Sequence, residues 1–231
     1  SRVRPALLFA QPMKLHRSLV SFLVVNAILG IAAGADSSKE KVSWNHPVDF
    51  TEPGLTHHQF ASDAMKREVG YSVWVPPGYA LSPERYPVVY FLHGSGGTES
   101  ADAPAFSHML SERLAAKKIP PVICVFPNGG LSGYRDHPEI GVNVETMIIR
   151  ELVPLIDRSY RTRMDRDSRV LAGFSMGGGG AVRLALKYSD LFSAAASWAG
   201  TLSPHNDGEK AGSAFDDGIL DPSRPHVRLL M

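Results

Sequence analysis

Cysteine is almost absent from this sequence, and so is any imbalance of charge. Cys124 is the one cysteine among 231 residues, which excludes an intramolecular disulfide and a zinc site built from cysteines. The 24 Lys and Arg residues nearly balance the 23 Asp and Glu residues, so the chain lacks the positive charge by which proteins bind nucleic acid. We expect no nucleic-acid partner and place Cys124, within the apolar run VICVF, in the core.

Complete motifs for phosphates and metals are missing as well. Gly173 and Gly178 have the spacing of a P-loop, but glycines follow where the lysine and the hydroxyl residue belong. The segment HGSGGTES begins like a dinucleotide fingerprint, but Glu99 stands at the third glycine position and would direct a carboxylate at pyrophosphate. No H-E-x-x-H motif occurs. We therefore predict neither a cofactor nor a metal.

Long hydrophobic runs are also absent. Residues 19–33 form an apolar run that falls short of the roughly 18 residues of a membrane span, and Asn26 interrupts it. A basic stretch after Met13 precedes the run and Ala-Gly-Ala at 33–35 follows it, which is the order of a secretory signal peptide. We expect a signal peptide over 13–35, a secreted or periplasmic protein without a stable membrane anchor, and read-through from an over-long gene sequence over 1–12.

Short apolar runs alternate with helical stretches along residues 36–231, where we expect a single domain. Strand-like runs lie at 71–75, 87–94, 121–129, 169–175 and 192–200, and helical stretches lie near 101–118, 143–159 and 177–188. This alternation predicts a parallel sheet with helices on both faces. Ligands of such sheets bind outside the carboxyl ends of the strands, so chemistry is expected in the strand-end loops.

One strand-end segment, Gly173-Phe174-Ser175-Met176-Gly177, matches G-x-S-x-G. In that motif the serine stands on a tight strand-to-helix turn with its Oγ exposed at the top of the sheet. The glycines at 177–180 would each cost a helix about 1 kcal/mol relative to alanine. Something at this turn must therefore require a backbone without side chains. We predict that Ser175 is a catalytic nucleophile.

A serine nucleophile needs amide donors for the oxyanion that its attack creates. One is the amide of the residue after the nucleophile, here Met176, and the second comes from the loop after the third strand. That loop is HGSGG, whose glycines let the backbone approach a substrate closely. We predict the Ser95 amide as the second donor, with the Gly96 amide as the alternative. His93 is expected to pack under the loop rather than act as a base.

Several blocks within residues 72–200, in the right order, resemble the putative-esterase family of α/β-hydrolases. They include YFLHGSGGT, VFPNGG and RVLAGFSMGGGGAVRLALKYSD. The family contains feruloyl and acetylxylan esterases, S-formylglutathione hydrolase and the mycolyltransferases. The resemblance implies an α/β-hydrolase fold with a mostly parallel sheet, Ser175 as nucleophile, and the amides of Ser95 and Met176 as the oxyanion hole. It also implies that FPNGG and SGYRDHP shape a pocket for the acyl group or the sugar.

The sequence departs from the family's pattern after the nucleophile. The triad of this fold runs Ser, then Asp or Glu, then His along the chain. His205 has no acid before it in a suitable strand-end loop, and His226 lies in HVRLLM, which reads as the strand after which the family places its acid. We therefore expect that the C-terminal part of the domain, with the triad acid and histidine, is missing and that this chain alone is inactive.

These inferences combine into an exported serine carboxylic-ester hydrolase that works through an acyl-enzyme on Ser175. The expected substrate is a small-molecule or carbohydrate ester, such as an acyl ester of a sugar or of plant cell-wall material. Two alternatives remain open: an acyltransferase that uses the same site, and a non-catalytic remnant without the triad acid and histidine.

Overall fold

A seven-stranded sheet forms the centre of the protein in the computed structural model, which describes residues 42–200 and 223–231. Its strands, in chain order, are β1 (Leu55–Ser62), β2 (Arg67–Trp74), β3 (Val88–Leu92), β4 (Ile123–Pro127), β7 (Arg169–Phe174), β8 (Ala194–Trp198) and β9 (Arg228–Leu230). Their spatial order is β1-β2-β4-β3-β7-β8-β9. β2 pairs antiparallel with both of its neighbours, β1 and β4. The remaining pairs, β4 with β3, β3 with β7, β7 with β8 and β8 with β9, are parallel. The prediction of a mostly parallel sheet is confirmed.

Helices cover both faces of this sheet. They are α1 (Ala103–Ala115), α2 (Val144–Thr146), which continues through a π-helical segment (Met147–Leu152) into α3 (Val153–Ser159), and α4 (Met176–Lys187). Short 3-10 turns lie at Tyr79–Leu81, Pro138–Ile140 and Arg166–Ser168, and β5 (Asp136–His137) pairs with β6 (Val142–Asn143) in a small hairpin. None of the helices among the described residues is long and apolar enough to cross a membrane.

The alternation of side chains along each strand divides the core between the two faces. Tyr90 and Leu92 of β3 pack with the buried faces of α3 and α4 in one cluster. Phe91, between them, packs with Leu110 of α1 in the other. The buried Cys124 belongs to the α1 cluster, as predicted. Because both faces are buried, the central strands read as continuous apolar runs in the sequence.

Strand β1 and the two-residue hairpin strands β5 and β6 were not predicted from the sequence, and several predicted features lie outside the described residues. In β1 only the first and last residues are buried, so LTHHQFAS carries little apolar signal. β9 confirms the strand predicted in HVRLLM. The expected signal peptide at 13–35, the segment 1–12 and His205 lie outside the described residues.

Candidate active site

The turn between β7 and α4 places Ser175 at the carboxyl edge of the sheet. Its backbone has φ 51 and ψ −116, a conformation that L-residues adopt rarely and that costs about 1–3 kcal/mol. The Ser175 amide donates to the carbonyl oxygen of Trp198 at 2.8 Å, and the Gly179 amide donates to the carbonyl oxygen of Ser175 at 3.1 Å. A half-buried serine is thus held on a strained, hydrogen-bonded turn between strand and helix.

The glycines at this turn allow α4 to begin directly against the end of β3. A Cβ on Gly177 would collide with the carbonyl oxygen of Leu92 and lie 2.6 Å from that of His93. A Cβ on Gly173 would lie 2.8 Å from the same Leu92 oxygen. These acceptors are backbone atoms of a central strand and cannot move aside easily. The close approach of helix and strand explains why glycine stands at both positions despite its cost to a helix or strand.

The two amides predicted as oxyanion donors lie on loops that touch each other. Leu92 of β3 pairs with Gly173 of β7, and a Cβ on Gly94 would lie 3.0 Å from the ring of Phe174. Within the described residues, neither the Ser95 amide nor the Met176 amide donates a hydrogen bond. Met176 is the first residue of α4, where helix geometry leaves amides without an internal acceptor. Both amides are therefore available to an oxyanion.

His93 lies buried below the loop that carries Ser95, and its ring bridges two backbone segments. Its Nε2 accepts the Gly129 amide at 2.9 Å, so the proton is on Nδ1, which lies 2.8 Å from the carbonyl oxygen of Gly94. Burial lowers the pKa of the imidazole. The neutral ring with both nitrogens occupied matches the predicted packing role and leaves no free nitrogen for a base.

The segments FPNGG and SGYRDHP support this loop mainly from below. Tyr134 is fully buried, and its hydroxyl donates to the carbonyl oxygen of His93 at 3.0 Å. A Cβ on Gly129 or on Gly180 would collide with the Tyr134 ring. Leu131, 65% exposed, is the large apolar side chain that this region presents to solvent. Gly129 and Tyr134 of these segments therefore brace the site, and the pocket for the acyl group or the sugar stays a prediction.

Exposed aromatic rings flank Ser175, which the sequence pattern did not predict. Phe174 is 50% exposed and Trp198 is 48% exposed, although both end otherwise buried strands and are register partners. The Trp198 ring also lies 6.2 Å from the Phe91 ring and 6.1 Å from the Phe106 ring. An apolar surface thus borders the serine at the edge of the sheet.

The described residues do not place a histidine beside Ser175 as its base. His226 precedes β9, whose Arg228 is level with Ala194 at the start of the parallel strand β8. It therefore lies at the amino edge of the sheet, opposite Ser175, and its carbonyl oxygen accepts a hydrogen bond from Arg166. Within the described residues no group of three or more His, Cys, Asp or Glu side chains could hold a metal ion.

Comparison with known proteins gives a consistent result. Residues 62–219 match the model of the family described as "Putative esterase". An esterase of Mycobacterium tuberculosis is 38% identical over 160 residues, which are 68% of this chain and 34% of that protein. An endo-1,4-beta-xylanase/feruloyl esterase of Xylanibacter ruminicola is 28% identical over 165 residues, 67% of this chain and 23% of that protein. The chain thus spans about a third, or less, of the curated relatives it matches.

A solved structure of a ferulic acid esterase superposes with a TM-score of 0.61 at 31% identity. The superposition covers 64% of this chain and 61% of that one. Together with the sheet order and the helices on both faces, it identifies the fold as that of the α/β-hydrolase esterases.

Proposed function

Because the chain belongs to the Putative esterase family, we propose that it is a serine carboxylic-ester hydrolase with Ser175 as nucleophile. The observation that carries the proposal is the strained turn of Ser175 beside two amides that have no acceptor among the described residues. Ser175 Oγ attacks the ester carbonyl carbon, and the amides of Ser95 and Met176 donate to the resulting oxyanion. Collapse releases the alcohol and leaves an acyl-enzyme, which water then hydrolyses to the free acid.

A general base must take the proton of Ser175 Oγ and return it to the leaving alcohol. His226 lies at the opposite edge of the sheet, and both ring nitrogens of His93 are occupied. We infer that the base and its acid come from outside the described residues.

We infer that the substrate is an acyl ester of a sugar or of cell-wall material, with an aromatic or otherwise apolar acyl group. The exposed rings of Phe174 and Trp198 support this inference, because aromatic rings bind planar apolar groups by stacking and by area burial. The relatives named as feruloyl esterases act on esters of that kind by their names. A polymeric substrate also suits an exported protein, which the apolar run at 19–33 favours.

The nucleophile is tested with a fluorophosphonate probe, which forms a covalent bond with an activated serine. We expect the full-length protein, which includes the residues that supply the base and its acid, to be labelled and its Ser175→Ala variant not to be. Release of ferulic acid from a feruloyl-sugar ester should fall in the same variant by on the order of 10⁶ in kcat, as in other serine hydrolases.

Ser107→Ala is the matched control. Ser107 lies buried in α1 and its Oγ has no hydrogen-bond partner within residues 42–200 and 223–231, so this variant should be labelled like the parent. Equal labelling of Ser175→Ala would contradict the assignment of the nucleophile. A full-length protein that neither reacts with the probe nor releases acid would favour the non-catalytic alternative.

A further inference from the structure

A fully buried carboxylate lies at the far end of the loop that carries Ser95. Glu99 has no exposed surface. Its Oε2 accepts a hydrogen bond from Asn128 Nδ2 at 2.7 Å, and its Oε1 accepts one from the backbone amide of His46. The ring nitrogens His46 Nδ1 and His57 Nε2 each lie 3.2 Å from one carboxylate oxygen. Three segments that are distant in the sequence therefore converge on one side chain.

The fold makes room for this carboxylate. Gly70 is an interior residue of β2, and a Cβ there would collide with Glu99 Oε1. Glycine weakens a strand, so its presence marks a close approach. Burial alone raises the pKa of the Glu99 carboxyl, but the hydrogen bonds from the His46 amide and the two histidine side chains outweigh it and hold the pKa below its usual value. Glu99 is thus an ionised group in a cavity shaped for it.

Hydrogen bonds connect this carboxylate to the predicted oxyanion donor. Asn128, which donates to Glu99, directly precedes Gly129, and the Gly129 amide donates to His93 Nε2. His93 Nδ1 in turn donates to the carbonyl oxygen of Gly94. The carbonyl of Gly94 and the amide of Ser95 belong to one planar trans peptide, in which C=O and N–H point in opposite directions. Fixing the Gly94 oxygen therefore fixes the direction of the Ser95 N–H.

The same loop is also held at its far end, since Ser100 Oγ donates to the carbonyl oxygen of His46 at 2.8 Å. We propose that Glu99 is a positioning residue of the esterase site, which acts through Asn128 and His93 to aim the Ser95 amide at the oxyanion. This assignment rests on the function proposed above. The role contrasts with the one suggested by the sequence, where Glu99 served only to exclude a phosphate.

The test replaces the charge and keeps the size. Glu99→Gln should react with the fluorophosphonate probe about 10- to 100-fold more slowly than the parent, a smaller loss than the 10²- to 10³-fold typical of removing a whole oxyanion donor. For ester hydrolysis, kcat should fall and KM should stay nearly constant, because oxyanion donors act mainly in the transition state. Asn128→Ala, which breaks the next link, should slow labelling in the same way and serves if Glu99→Gln does not fold.

Glu151→Gln is the matched control, because Glu151 is also a carboxylate that braces backbone. It accepts the Ala64 amide at 2.8 Å and the Ser62 hydroxyl at 2.5 Å, at the turn between β1 and β2. This variant should lose stability and keep the parent's labelling rate. If the parent is labelled and Glu99→Gln reacts as fast, the positioning role alone is overturned. The same holds if Glu99→Gln and Glu151→Gln are both labelled more slowly, each in proportion to its loss of stability. An unlabelled, inactive parent overturns the proposed function itself.

Discussion

At the scale of single residues, two buried titratable side chains of the site differ in charge: His93 is neutral and Glu99 is ionised. His93 is neutral because burial lowers its pKa and its Nε2 accepts a hydrogen bond. Glu99 is ionised because its donors outweigh the cost of burial. Each state is the one in which all the hydrogen bonds of that side chain can form. Protonation of either residue would remove an acceptor from the interior.

Acid should therefore destabilise the fold through these residues. The unfolded chain binds a proton at His93 near the ordinary pKa of 6.5 and at Glu99 near 4.5, and the folded protein binds them only at lower pH. His58, whose pKa burial and His57 lower, acts in the same direction. Because the unfolded state takes up protons first, the free energy of unfolding should decrease as the pH falls below 6.5 and again below 4.5.

Chemical denaturation between about pH 7 and about pH 4 measures this effect. Glu99→Gln should reduce the part of the dependence that begins near pH 4.5, to which Glu145 with its lowered pKa also contributes, and keep the part that begins near pH 6.5. An unfolding free energy that rises on acidification would be incompatible with these pKa directions.

At the scale of secondary-structure elements, the predictable parts were those whose own sequence carries the signal. Strands β3, β4, β7 and β8 are buried on both faces and read as apolar runs. β1 could not be found in this way, because it is an edge strand with few buried residues. The π-helical turn at Met147–Leu152 also has no local signature, since its register depends on how the helix packs on the sheet.

The contact between α4 and β3 leads to a prediction at this scale. In a solvent-exposed stretch of helix, Gly→Ala stabilises the helix by about 1 kcal/mol. Gly177→Ala should instead destabilise by about 1–3 kcal/mol, because its methyl group would meet the carbonyl oxygens of Leu92 and His93. Denaturant unfolding measures the change, and labelling of the neighbouring Ser175 should slow as the turn shifts. A variant as stable as the parent would show that α4 can move away from β3 at no cost.

At the scale of the whole molecule, the site is assembled from segments whose proximity the sequence does not encode locally. The G-x-S-x-G motif and the glycine loop predicted Ser175, Ser95 and Met176 as site residues, because each motif lies within one short segment of the sequence. The burial of Glu99 depends on partners from distant parts of the chain, among them His46 and Asn128, and the ring contacts of Trp198 come from Phe91 and Phe106. A pattern along one segment cannot contain such contacts, so those residues became visible only in the fold.

The N-terminal region gives the last prediction. We propose that residues 13–35 direct export and that cleavage follows Ala35, because a basic stretch, an apolar run and Ala-Gly-Ala occur in that order. Mass spectrometry of the protein recovered outside the cytoplasm should find Asp36 as its first residue. Val24→Arg places a charge in the apolar run and should leave the uncleaved protein in the cytoplasm.

Val48→Arg is the matched control for this export experiment. Val48 is exposed in the folded domain and lies beyond the expected cleavage site, so the same substitution there should leave export and cleavage unchanged. Residues 43–46, which reach Glu99 and Asn128, lie beyond the expected cleavage site, so cleavage after Ala35 would leave the network of the site intact. A mature protein that retains residues 13–35 would contradict the proposal. So would one that lacks residues 43–46, and in that protein Ser175 should also react more slowly with the probe.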